Sequence, residues 1–155
     1  MPITADAKLT LTEFLLGCED VVACAQYGLY WLEEHAGISR ALCAVSVTGD
    51  PHLWGVAAVG ISAARTGGYE IDPVRGRDQL AKVVRSGQST WFGSARSRPD
   101  TPLGNRPFHA IPIRTGRQRP SPGLLLVEGN HGRPDRVLTW FTRMFGAKLM
   151  RLRSR

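Results

Sequence analysis

The chain has 155 residues, 43% of them hydrophobic and 21% charged, with a formal net charge of +7, the balance of an ordinary soluble globular protein. That length suits one domain, taken as 1–155 with its core at about 10–153, and such a domain buries roughly 68–70% of its unfolded surface. No apolar run approaches the roughly 18 residues of a membrane span, and Met1–Asp6 lacks the basic start and apolar middle of a secretory signal, so a cytoplasmic chain is expected.

Thr10 with Glu13 fits a capping box. Leu15, Cys18, Val22, Ala25, Leu29 and Leu32 then recur at helical spacing, with Val21, Cys24, Gly28 and Trp31 on a neighbouring face. One helix is expected from about residue 10 to Gly37, which suits a left-handed cap. Arg40–Thr48 and Leu53–Ser62 read as strands, and Gly49-Asp50-Pro51-His52 turns between them, giving an antiparallel hairpin. Residues 63–77 show no sustained period and read as a loop or a short helical turn. Asp78 caps a short helix through Arg85 that stops at Gly87, and Ser89–Phe92 is a brief strand. Residues 93–107, rich in Gly, Ser, Pro and Arg, form a surface loop. Phe108–Arg114 and Gly123–Glu128 are two more strands, and Pro134, at an early helical position, starts a last helix through about Arg153. This order is α+β. A mostly antiparallel sheet of five or six strands is expected, with the first and last helices on one face and residues 63–107 roofing the other.

Charge is divided unevenly along the chain. Residues 1–74 hold nine acids and three bases, a net of −6, and residues 75–155 hold four acids and seventeen bases, a net of +13. A basic surface for nucleic acid, phosphate or membrane is one reading. The plainer one sets the acidic first helix beside the basic last helix, within a subunit or across a dimer. Arginine supplies nearly all the excess and is scattered, and no basic motif interleaved with aromatics for base stacking is present, so nucleic acid is not favoured. Cys18, Cys24 and Cys43 form neither a disulfide nor a metal pattern. Cys43 alternates with Val45 and Val47 as a core residue does, and free Cys packs as a small hydrophobe.

Phe108-His-Ala-Ile-Pro-Ile113, then Gly123-Leu-Leu-Leu-Val127, then a helix carrying Phe145-Gly-Ala-Lys-Leu149, resembles the end of a GAF domain. Upstream, Leu80-Ala-Lys-Val-Val-Arg-Ser-Gly-Gln-Ser-Thr-Trp-Phe92 is similar to the short helix, turn and small strand of the same family. The resemblance spans about 10–155, and PAS modules are the nearest confusion. It implies a GAF-like, PAS-related sheet with a ligand between sheet and roof, in a mostly apolar site with few polar groups. Pocket candidates are then Trp54, Tyr69, Trp91, Phe92 and His109. Core packing is the plainer role for each aromatic, and a satisfied core histidine for His109. Arg96, Arg98 and Arg106 suit an anion, with solvated surface charge as their plainer role.

Within that family, the Asn-Lys-Phe-Asp-Glu set of cyclic-nucleotide binders is missing. Residues 63–107 contain neither the Cys that attaches a bilin nor an axial His for haem, although His109 borders them. The enzymatic member, free methionine sulfoxide reductase, needs an accessible thiolate with a resolving partner, whereas every Cys here precedes residue 44. No cofactor, metal or catalytic residue is assigned, and no other enzyme motif is present.

The last helix carries Leu138, Phe141, Phe145, Leu149 and Leu152 on one stripe, and Val137, Trp140, Met144 and Ala147 on the next. Two stripes exceed the single face a surface helix needs. Either Val137, Trp140 and Met144, with Trp31 and Val21 of the first helix, build a homodimer and signalling bundle, or both stripes form one broad face inside the subunit. Met150–Arg155 fits continuation into a C-terminal output domain and fits a free end equally. The resemblance thus implies a non-enzymatic sensor of an unnamed small molecule in a bacterial signalling protein (a sensor kinase, as in two-component systems, a cyclase or a transcription activator). A sulfoxide reductase is the alternative, and a degenerate dimerisation scaffold a weaker one.

Overall fold

A computed structural model describes residues 3–47, 49–114, 120–129, 132 and 136–153. Its opening helix is interrupted. Thr4, and not Thr10, caps α1 (Ala5–Gly17) by accepting from the Ala7 N–H at 3.1 Å, while the Thr10 hydroxyl donates back to the Asp6 carbonyl inside the helix. The backbone turns extended at Cys18, and the Asp20 carboxylate accepts from the Ala23 N–H at 2.8 Å, opening α2 (Val21–Ala36). The expected continuous helix is therefore two, because a second cap outcompetes continuation through Gly17. The break also rotates the apolar stripe: Val22 is 50% exposed, whereas Trp31 is 2% exposed. Gly37 closes α2 with φ of 69°, as expected.

The hairpin β1 (Ala41–Ser46) and β2 (Leu53–Val59) follows, then α3 (Ala63–Gly67), β3 (Glu70–Ile71), α4 (Gln79–Ser86) and β4 (Thr90–Phe92). Strands β5 (Phe108–Ile113) and β6 (Gly123–Glu128) and helix α5 (Arg136–Arg153) end the described chain. The strands form one antiparallel sheet in the order β3-β2-β1-β6-β5-β4. Asp78 caps α4 through the Ala81 N–H at 2.7 Å, and Gly87 ends it at φ of 70°. Thr48, residues 115–119 between the last two strands, Pro134 and the last two residues lie outside the described residues.

Strands β1 and β6 are central and buried on both faces, which explains their continuous apolar runs. Cys43, Val45, Leu125, Val127, Ile111 and Ile113 point towards α1, α2 and α5. Leu42, Ala44, Leu124, Leu126, Phe108 and Ala110 point the other way, towards α4, Ile71 and Leu103. The helical layer closes around Trp31. Its indole N–H donates to the Ala7 carbonyl at 2.8 Å, and its ring stacks on Phe141 at 5.9 Å. A Cβ on Gly28 would stand 2.5 Å from the Phe145 ring, so α2 and α5 cross at glycine contact.

Most of the second stripe of α5 is partly covered from within the chain, while Ala147 stays exposed. The Lys8 ammonium lies 5.2 Å from the Trp140 ring centroid, the Thr12 hydroxyl donates to the Met144 sulfur at 3.7 Å, and Trp31 meets Trp140 at 5.8 Å. Val137 and Val21 pack against the same core. Of the five residues expected at a subunit interface, Trp31 is buried, and Val21, Val137, Trp140 and Met144 are partly buried against the subunit's own core, where α1, as a separate helix, folds over that stripe. The acidic helices do lie beside basic α5, as the charge split suggested. Among the described residues the contacts found between them are apolar, aromatic and cation–π, with one hydroxyl–sulfur hydrogen bond, and no ion pair joins them.

Candidate functional site

The roof is held by charged side chains bonded to backbone groups. Asp72 accepts from the Val74 and Arg75 N–H groups at 3.0 Å each, which keeps its carboxyl below the usual carboxylate range. Arg85 of α4 donates to the carbonyls of Pro73 and Gly76 at 2.9 and 2.7 Å. Leu103 is buried beneath the roof, and the Arg40 guanidinium holds its carbonyl at 3.0 Å. The two later arginines expected to hold an anion are also committed: Arg98 bonds Asn105 and the Gly93 carbonyl, and Arg106 pairs with Glu128 at 3.0 Å. Arg96 is exposed.

Strand register separates the five pocket candidates. Phe92 lies opposite Phe108, their rings 5.1 Å apart, inside the roof-side core. Trp91 lies opposite His109, the next pair along, so those rings meet at 4.5 Å on the other face, where Gly129 packs against both. Trp54 is 41% exposed and next to Leu53, which belongs to the roof-side core, so it too faces away from the roof. Of the five, Tyr69 and Phe92 are brought to the roof side and Trp54, Trp91 and His109 are not.

Tyr69 is the distinctive one. Its ring packs on the roof-side core and its hydroxyl is sealed from solvent, with no hydrogen-bond partner among the described residues. Burial, reinforced by the Asp78 and Asp100 carboxylates, pushes its ionisation well above the ordinary tyrosine value, so the group is a fixed donor at neutral pH. Beside it opens a cleft of about 350 Å3, with Ala64, Arg65 and Gly68 on one wall and Asp100, Thr101 and Pro102 on the other. Sequence reasoning missed Asp100 and Thr101, which sit in an aperiodic segment. It also missed His52, whose two ring nitrogens lie 3.2 Å from Asp50 and 3.4 Å from Asp72 across two turns.

No thiol reaches this region. Cys24 and Cys43 are buried on the helical side, and Cys18 sits at the α1–α2 break with its thiol donating to the Asp20 carbonyl. Burial, with Cys18 nearby, pushes the Cys24 thiol up to about 12, and burial raises Cys43 as well. Both are therefore thiols, not thiolates, at neutral pH. Among the described residues no three His, Cys, Asp or Glu side chains are grouped to hold a metal.

The whole fold has close counterparts among solved structures. The GAF domain of an Acinetobacter phosphoenolpyruvate-protein phosphotransferase matches with a TM-score of 0.75 at 10% identity, over 96% of this chain and 91% of that one. The chain has the GAF fold. A second counterpart is residues 122 to 287 of a methyl-accepting chemotaxis protein, with a TM-score of 0.74 at 16% identity over 92% and 96% of the two chains. A third is the free methionine-R-sulfoxide reductase of Neisseria meningitidis, solved with its substrate, with a TM-score of 0.70 at 17% identity over 99% and 96%. No family model matches the sequence, and no curated protein matches it. At these identities the likeness concerns the fold, and that fold carries both signalling domains and a reductase.

Proposed function

We propose that this GAF-fold chain is a non-enzymatic, cytoplasmic sensor module of a bacterial signalling protein. It binds a small molecule at the Tyr69 cleft and acts through its terminal helices on an output domain attached beyond them. The buried, partnerless Tyr69 hydroxyl carries this reading. An unpaired buried polar group costs about 1–3 kcal/mol, and a ligand acceptor entering the adjacent cleft would remove that cost. A contiguous route runs from it to the helices. The Tyr69 carbonyl accepts from Gly55 of β2 at 3.0 Å, and Gln26 of α2 brackets Ala58 of the same strand through both its amide atoms. Gly28 of α2 in turn rests on Phe145 of α5. A ligand shifts the helices only as far as it prefers one arrangement of that route. Among the described residues no helix is long and apolar enough to cross a membrane.

The test is a thermal-shift and calorimetric screen of metabolites against wild type and Tyr69→Phe. Tyr69→Phe is expected to melt no lower than wild type, because it deletes an unpaired group, and to bind the hit at least tenfold more weakly. Equal affinity would remove Tyr69 from the site. Absence of any hit would turn the assignment towards a protein-binding scaffold, which the filled roof-side core also suits. The reductase reading draws on the Neisseria likeness and is opposed by three cysteines on the wrong side of the sheet. Turnover of free methionine-R-sulfoxide that is lost in the triple Cys→Ser variant would restore it.

A further inference from the structure

A second cleft lies away from Tyr69, beside a proline in β5. The Gly129 N–H donates to the Pro107 carbonyl at 3.2 Å, so odd-numbered residues of this strand direct their backbone groups to β6. Pro112, even-numbered, is turned to the β4 side, where it has no N–H to offer. Strand β4 pairs with β5 only over Phe108–Ala110 and peels away before Pro112. The space it leaves, between the end of β5, Gly87 and Ser89 beyond α4, and α5, is an open cleft of about 540 Å3.

Its chemistry is specific. Ile111, Ile113 and Leu138 are buried and give it an apolar floor, and Arg114 and Arg143 stand at its wall with Thr142 and Ser89. Among the described residues no acidic side chain lines it. Neither guanidinium has a hydrogen-bond or ion-pair partner among the described residues, in contrast to Arg40, Arg85, Arg98 and Arg106. Arg114 is also pre-placed. Its guanidinium lies against Gly87, where a Cβ would come within 3.0 Å of its central carbon, and where φ of +70° already requires glycine.

We propose that this cleft binds a small organic anion with an apolar tail, of the medium-chain carboxylate class. The carboxylate sits between Arg114 and Arg143, and the tail lies on Ile111, Ile113 and Leu138. Guanidinium forks match carboxylates in geometry as well as charge, and the volume falls in the range of small-molecule pockets, about 300–1,000 Å3. The site is independent of the Tyr69 reading. Because α5 forms one wall, occupancy bears directly on the last helix.

Octanoate, with acetate and 1-octanol as headgroup-only and tail-only controls, is titrated into the full chain by calorimetry, and the site is located by backbone amide NMR shifts. Saturable octanoate binding is expected, with acetate and octanol at least tenfold weaker. The double variant Arg114→Gln/Arg143→Gln should weaken octanoate at least tenfold, and Ala147→Trp, on the exposed lip of the cleft, should block it with melting temperature retained. Tyr69→Phe should bind octanoate as wild type does, which separates this site from the roof cleft. Absence of saturable binding, undiminished affinity in the double arginine variant, or loss in Tyr69→Phe alone would each overturn the proposal.

Discussion

Cys43 shows how far one side chain's surroundings decide its behaviour. It is fully buried between the sheet and the helices, and its thiol is held protonated above the ordinary value of 9.0. Below about pH 9 the folded and unfolded states both carry the proton, and stability is indifferent to pH on this account. Above it the unfolded chain releases a proton that the folded chain keeps, so stability falls as pH rises, by about 1.4 kcal/mol per pH unit for a fully buried group. Thermal melts at about pH 8 and about pH 10 should therefore show a larger loss in wild type than in Cys43→Ala; equal losses would place the thiol in solvent. That Cys43 is core was legible from its alternation with Val45. The facing of Trp54 was not. Between Cys43 and Ala44 the β1–β2 register shifts, skipping Val56, so Leu53 faces the roof while Ala57 and Val59 face the helices. Simple alternation from Ala58 puts Trp54 on the roof side; the bulge reverses it.

At the scale of elements, legibility followed local chemistry. Strand β6 and helix α4 were readable nearly to the residue, since a turn signal or a capping Asp and a left-handed Gly mark their ends. The first helix was misread because a 3–4 apolar spacing persists across Gly17–Asp20 even though the backbone leaves the helix there. Periodicity cannot register a break that happens to preserve it. Gly28 carried a signal of another kind, a glycine inside a helical stripe, and the structure supplies its reason in the contact with Phe145. Gly28→Ala is expected to force α2 from α5 and cost about 1–3 kcal/mol, against a gain for the same exchange at a solvent-facing helical site. Chemical denaturation measures it, and a neutral or stabilising result would mean that Phe145 yields freely.

For the whole molecule, the question is whether the terminal helices are a surface or a core. With α1 separate, Trp31, Trp140 and Phe141 form one aromatic cluster closed by the Ala7 carbonyl and Lys8. This cluster joins three helices to the sheet, so any rearrangement that carries a signal from the roof side must pass through it or around it. Trp31→Ala leaves a hole and removes the indole hydrogen bond to the Ala7 carbonyl, and large aromatic truncations in cores cost about 3–5 kcal/mol, a large part of the 5–15 kcal/mol typical of a domain. If Trp31 instead held two subunits together, its loss would act through dissociation, and the melting midpoint would depend on protein concentration. Trp31→Ala is therefore expected to lower the midpoint by the same amount at widely separated concentrations. A depression that vanishes at high concentration would return Trp31 and Trp140 to an interface. The same variant tests transmission: a sensor that signals through this layer should retain ligand affinity at the roof cleft while α5 amide shifts on binding are lost, because Trp31 touches the helices and not the cleft.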